Sequence, residues 1–229
     1  MSHLSFRSSA LALGLLISFG ATATQPSATR PDWHTKVRQF AAEHFHHPAW
    51  GFSHCVRDYD LARELASEDK VTLDDDILYA AAYLHDMAAF APWDREKEGI
   101  DHADEAARIV DTVLAGTGFP MSKIAAVRGA IKTHMYDRDP VGSEAKYLHD
   151  ADALDWLGAV GVARIIALVD PNGGDPDGPK AVRMLVDYLA TVPPRVMSPA
   201  GQRLAKTRAA ELRRFLEELR RETADLRTL

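Results

Sequence analysis

The segment Ile77-Leu78-Tyr79-Ala80-Ala81-Ala82-Tyr83-Leu84 is apolar nearly all round and runs directly into His85-Asp86. Asp74, Asp75 and Asp76 precede it, where acids suit the positive end of a helix macrodipole. A helix with no polar face has to be covered on every side, so the chain must wrap other elements around this one. The flanking sequence offers helices for that purpose. Pro31-Asp32 opens a segment through Phe40 and Phe45, and Phe52, Val56, Tyr59 and Ala62 then recur at helical spacing. Asp101 to Leu114 and Ser122 to Met135 are two more, separated by Gly116-Thr117-Gly118-Phe119-Pro120. Glu144 to Val169, crowded with Ala and Leu, reads as one long helix, and Ser198 as N-cap with Pro199 at N1 opens the last. No alternating run of strand length occurs. The expected class is all-α.

A chain of 229 residues can form one domain with a sizeable core, or at most two small ones. Hydrophobic residues at 46% and charged residues at 26% are ordinary for a folded soluble chain. With a net charge of -6 and no basic stripe among exposed aromatics, a nucleic-acid-binding surface is not expected. The loop from Asp170 to Gly178 is rich in acids and turn residues, but Gly174 falls where a calcium loop needs a ligand, so it reads as a solvated connector. The final helix, within 198–229, carries the apolar stripe Leu204, Leu212, Phe215, Leu216, Leu219 and Leu226. That stripe suits the domain or a partner helix, which leaves a homo-oligomer open.

The first 23 residues have the three parts of a secretory signal peptide: a weakly basic start, an apolar stretch from Ala10, and Ala21-Thr22-Ala23. The bland alternative is an apolar extension from a misassigned start codon. The run is shorter than the ~20 apolar residues of a membrane span, so no stable membrane anchor is expected. Export to the periplasm or medium is expected, with residues 24–31 a flexible tail. Cys55 is the only cysteine, so neither an intramolecular disulfide nor a cysteine-based zinc site can form.

The chemistry gathers at three places. An ionised Asp86 just beyond so apolar a run faces a large desolvation cost unless a cation or a donor compensates it. An Asp that merely orients a core histidine explains the doublet equally well. Upstream, Phe52-Ser53-His54-Cys55-Val56-Arg57 puts a histidine on a packing helix. Downstream, His149-Asp150-Ala151-Asp152-Ala153-Leu154-Asp155 places three acids close together, which repel unless offset. Asp152 and Asp155 share a face at i, i+3 while Asp150 points elsewhere. Capping or surface charge accounts for Asp150 and Asp155 more readily than for Asp152. His34, His44, His46, His47 and His149 read as structural or surface residues.

The order His54, His85-Asp86, Asp152 resembles the H…HD…D signature of the HD-domain superfamily of metal-dependent phosphohydrolases. The words "SHCVRDYDLA", "AAYLHD" and "LHDADALDWLGAVGVAR" are similar to those of a bacterial subgroup, and the likeness covers about residues 32–192. The resemblance implies an HD-domain helical bundle with an additional C-terminal helix. It implies that His54, His85, Asp86 and Asp152 ligate one divalent cation, with His85 and Asp86 at the catalytic centre and Asp86 placed to take or steer a proton. Such a mixed N/O donor set suits Mn, Fe, Co, Ni or Mg. It further implies that His102 and His134 hold a second ion or contact the substrate. Arg57 and Arg164 are candidates to grip a phosphate, the alternative for both being an ion pair with Asp150 or Asp155.

Two departures narrow the reading. Met87-Ala88-Ala89 replaces the lysine of an HDxxK motif, and no G-Y-P block is present, so cyclic-dinucleotide hydrolysis is not expected. The leading expectation is hydrolysis of a phosphate ester or phosphoanhydride of a small molecule by a metal-activated water. The alternatives are a hydratase or lyase of the cyanamide-hydratase kind, which "FSHCVRDY" also resembles, and a metal-binding sensor without turnover. For the leader, N-terminal sequencing of exported protein should begin at Thr24; full-length chain found only in the cytosol would overturn that expectation.

Overall fold

The computed structural model describes residues 32–169 and 178–227. The signal peptide, the tail at 24–31 and the connector at 170–177 expected above lie outside the described residues. The described residues contain helices and no strand. In chain order the α-helices are α1 (Asp32–His44), α2 (Phe52–Glu68), α3 (Asp75–Leu84), α4 (His102–Leu114), α5 (Ile124–Lys132), α6 (Ser143–Leu154), α7 (Gly158–Val169), α8 (Gly178–Thr191) and α9 (Pro199–Glu222). None of them is long and apolar enough to cross a membrane.

The apolar run becomes α3, and every residue from Leu78 to Leu84 is buried. Helices α1, α2, α5 and α6 pack against it, which is the enclosure its sequence demands. Asp74 caps the helix, its carboxylate accepting from the Asp76 amide at 3.1 Å, and Lys123 donates to both Asp74 and Asp76 at 2.7 Å. The helix ends at Leu84, and the chain passes through His85-Asp86 into a short 3-10 turn at Met87–Ala89. The doublet thus emerges at the inner end of a buried helix.

Two expected boundaries differ. Glu144 to Val169 is two helices, α6 and α7, rather than one. Asp155 caps the end of α6, and Gly158 takes φ +64, a left-handed conformation that ends one helix and redirects the next. The Ala- and Leu-rich composition reads through that break because nothing local forbids helix there except Gly158. The segment Ser122 to Met135 is also shorter: α5 ends at Lys132, and His134 lies in the turn beyond it.

Helix α9 packs on the domain itself, against α2, α6, α7 and α8. Ser198 caps it by accepting from the Gly201 amide at 3.1 Å, with Pro199 in the first turn. Gly201 is required by close approach, since a Cβ there would meet Ser198 Oγ at 2.6 Å and Asp150 Oδ2 at 3.0 Å. Leu212 and Leu216, from the apolar stripe, are buried in the common core. Leu212→Ala should therefore lower the unfolding free energy by about 2–5 kcal/mol in denaturant melts. A loss under about 0.5 kcal/mol would mean that this stripe is not part of the core.

Candidate metal centre

Four elements bring their polar residues to one buried point. Helix α2 supplies His54 and Asp58, one turn apart on the same face. The end of α3 supplies His85 and Asp86, α6 supplies Asp152, and the turn after α5 supplies His134. His54, Asp58 and His85 are fully buried, and Asp86, Asp152 and His134 nearly so. His54 Nε2 lies 3.1 Å from Asp58 Oδ2, 3.2 Å from Asp152 Oδ1 and 3.7 Å from Asp86 Oδ2. His85 Nε2 is 3.3 Å from His54 Nε2, 3.4 Å from Asp86 Oδ2 and 3.6 Å from Asp58 Oδ2.

The outer nitrogens fix which ring atoms face inward. His85 Nδ1 is 2.9 Å from the Ala82 carbonyl and His134 Nδ1 is 2.7 Å from that of Ile131. A carbonyl only accepts, so both Nδ1 atoms carry protons, and each ring, when neutral, presents an Nε2 lone pair to the centre. His54 Nδ1 donates in the same way to Asp155 Oδ2 at 2.8 Å. Asp155 also receives Arg57 Nε and Nη2 at 3.0 and 2.7 Å. Burial pushes the Asp155 carboxyl up, but the bonds from His54 and Arg57 outweigh it and hold it well below the usual carboxylate range. An ionised carboxylate behind a ligating imidazole fixes its tautomer and raises its basicity.

These residues fit a cation. One donor atom from each of His54, Asp58, His85 and Asp152 lies within 4.8 Å of the others, and His85, Asp86 and His134 form an overlapping group. Asp86 joins the two: Oδ2 faces His54 and His85, while Oδ1 lies 3.4 Å from both His102 Nε2 and His134 Nε2. Burial raises the Asp86 carboxyl, yet the charge of His85 and the bonds from His102 and His134 hold it well below its ordinary value. Asp58 goes the other way, pushed well up by burial and then by Asp155 and Asp152. Imidazole nitrogens and carboxylate oxygens thus converge on one buried point that could hold a divalent ion.

A cavity of about 360 Å³ opens above this point, and Asp86, His102, His134, Asp152 and Arg164 line it. Trp50, Trp156, Leu168 and Tyr188 form an apolar wall. Burial works against a charge on His102, but Asp86 outweighs it and raises the pKa. His134 is lowered, by burial first and then by the charge of His85. Arg164 is buried, donating to the Ala49 carbonyl at 2.6 Å, lying 3.2 Å from Asp155 Oδ2 and stacking 3.6 Å over the Trp156 ring. Arg57 is not brought to this cavity: its guanidinium is engaged by Asp155 behind His54. The sequence reading also passed over Asp58, although i, i+4 from His54 was the signal that places it beside the site. It passed over the aromatic wall as well, for which no local signal exists.

The three acids of α6 separate by direction, as helical geometry of about 100° per residue requires. Asp152 faces the centre and Asp155 backs His54. Asp150 points to the opposite side, where its carboxylate accepts from the Met197 and Ser198 amides at 2.9 and 2.6 Å and from His149 Nδ1. Asp152→Ala should empty the site, whereas Asp150→Ala should keep its metal and lose stability instead. Metal content and melting temperature measured on both variants decide this, and the reverse pattern would move the ligand by two residues.

Residues 51–157 match the family model of the HD domain. No curated protein matches the chain. Among solved structures, the chain is similar to a predicted HD superfamily hydrolase from an uncultured Thermotogales bacterium, with 26% identity and a TM-score of 0.56 over 83% of this chain and 90% of that one. It shares its fold with a Lactobacillus plantarum protein, at 21% identity and a TM-score of 0.64 over 84% and 98% of the two chains. It also shares its fold with Bacillus subtilis YpgQ, solved in complex with ADP, at 22% identity and a TM-score of 0.61 over 82% and 97%. The HD match spans the helices that carry His54, His85, Asp86 and Asp152, and residues 51–157 form an HD domain.

Proposed function

We propose that this chain is a metal-dependent phosphohydrolase acting on a phosphate ester or phosphoanhydride of a small molecule. The observation that carries the reading is Asp86, which turns one oxygen to His54 and His85 and the other to His102 and His134 at the floor of an open cavity. His54, His85, Asp86 and Asp152 would hold the principal ion. His134, with its neutral Nε2, and His102 are placed to hold a second ion or to contact substrate. A divalent ion there makes water a nucleophile at neutral pH and polarises a phosphoryl oxygen. Asp86, held ionised, would take or steer the proton that such a water loses. His102, whose pKa Asp86 raises, and the Arg164 guanidinium are the cationic groups of a lining that also holds Asp86, Asp94, Glu96, Asp101 and Asp152, and they would meet a phosphoryl group. The ADP in YpgQ, a fold neighbour, supports a phosphorylated ligand without identifying it. The N-terminal leader supports export, so the substrate is proposed to be met outside the cytosol.

A hydratase of the cyanamide-hydratase kind is the second reading, and the wall of Trp50, Trp156, Leu168 and Tyr188 is the observation that favours it. Size weighs against it, because a cavity of about 360 Å³ suits a far larger molecule than cyanamide. A screen of Mn-loaded protein against phosphate esters, nucleotides and cyanamide separates the readings. Phosphate release that is abolished by chelation and restored by Mn is the expected result, and His102→Ala should lower kcat/KM by about tenfold or more, equivalent to ~1.4 kcal/mol. Urea formed from cyanamide without phosphate release would favour the second reading. Full metal occupancy with no turnover at all would favour a sensor.

A further inference from the structure

Asp58 is used by neither the four-residue ligand set nor the hydrogen-bond network. Its side chain is fully buried, and neither Oδ1 nor Oδ2 has a hydrogen-bond partner. Oδ2 nevertheless points into the centre, 3.1 Å from His54 Nε2 and 3.6 Å from His85 Nε2. Neither ring can supply a donor while it serves as a ligand. His54 spends its Nδ1 proton on Asp155 and His85 spends its own on the Ala82 carbonyl, so both offer only lone pairs inward. The residue at this place on α2 faces the core, where an apolar side chain would pack without penalty. An ionised carboxylate is strongly disfavoured there unless a cation meets it.

We propose that Asp58 is a fifth protein ligand, joining His54, His85, Asp86 and Asp152 on the same ion. This rests on the metal reading above and extends it. The primary site then holds two imidazoles and three carboxylates, one negative charge more than a divalent ion cancels. That oxygen-rich set favours Mn or Fe over the nitrogen- and sulfur-rich surroundings typical of zinc, and the extra carboxylate leaves fewer positions for water and substrate.

The test uses the full chain and Mn alone. Wild type and Asp58→Asn are titrated with Mn, free Mn being read by electron paramagnetic resonance, and melting temperature is recorded with and without the ion. Asn keeps the shape and removes the charge. The expected result is a Kd for Mn raised at least tenfold and a smaller Mn-induced rise in melting temperature. The metal-free variant should melt at or above wild type, since it has lost an uncompensated acid. Asp58→Val, similar in size and apolar, serves as the second variant and should show the same loss if Asn disturbs folding. Wild-type affinity in both variants would overturn the Asp58 assignment alone. A wild-type chain that binds no Mn would overturn the metal reading together with it.

Discussion

Everything in this fold answers to the burial of charge. Asp58, Asp86, Asp150, Asp152 and Asp155 are all withdrawn from water, and so is Arg164. An isolated ion at such depth is far too costly to keep, so each must find a partner or give up its charge. The partners are found by sending the acids in different directions. Asp150 takes backbone amides, Asp155 takes a histidine and two arginines, and Asp86 and Asp152 take imidazole nitrogens.

Arg57, Arg164, Asp155 and His54 form a relay behind the centre rather than inside it. The two guanidinium groups keep Asp155 ionised, Asp155 fixes the His54 tautomer, and His54 turns its Nε2 lone pair forward. Arg164 has a second task, because it reaches the cavity and stacks on Trp156 at its wall. Positive charge is thereby held close to the metal ligands without competing for the place of the ion.

The all-helical class was legible because apolar residues recur at helical spacing along the chain and no alternating run of strand length occurs. His54, His85, Asp86 and Asp152 were legible as a set because their order and surrounding words resemble one superfamily, and the structure brings them to one point. The break between α6 and α7 was not legible, since the left-handed turn at Gly158 is a single residue within an Ala- and Leu-rich run that reads as continuous helix. Arg57 could be read only as pointing toward the site, and the choice between substrate and Asp155 depends on an acid 98 residues away. Asp58 escaped for a related reason. Its spacing from His54 was visible, but the absence of any donor around it is a property of the packed interior.

The anchoring of α9 on Asp150 has a consequence for how this architecture can change over evolutionary time. The amides of Met197 and Ser198 are the donors that make an ionised Asp150 tolerable, and the missing side chain of Gly201 lets them come close. A lineage that lost the C-terminal helix while keeping this acid would strand an anion in its core, two residues from Asp152. One that replaced Asp150 first would leave two backbone amides buried with nothing to bind. Neither intermediate is comfortable, so the helix and the aspartate form a pair that a lineage gains or discards together.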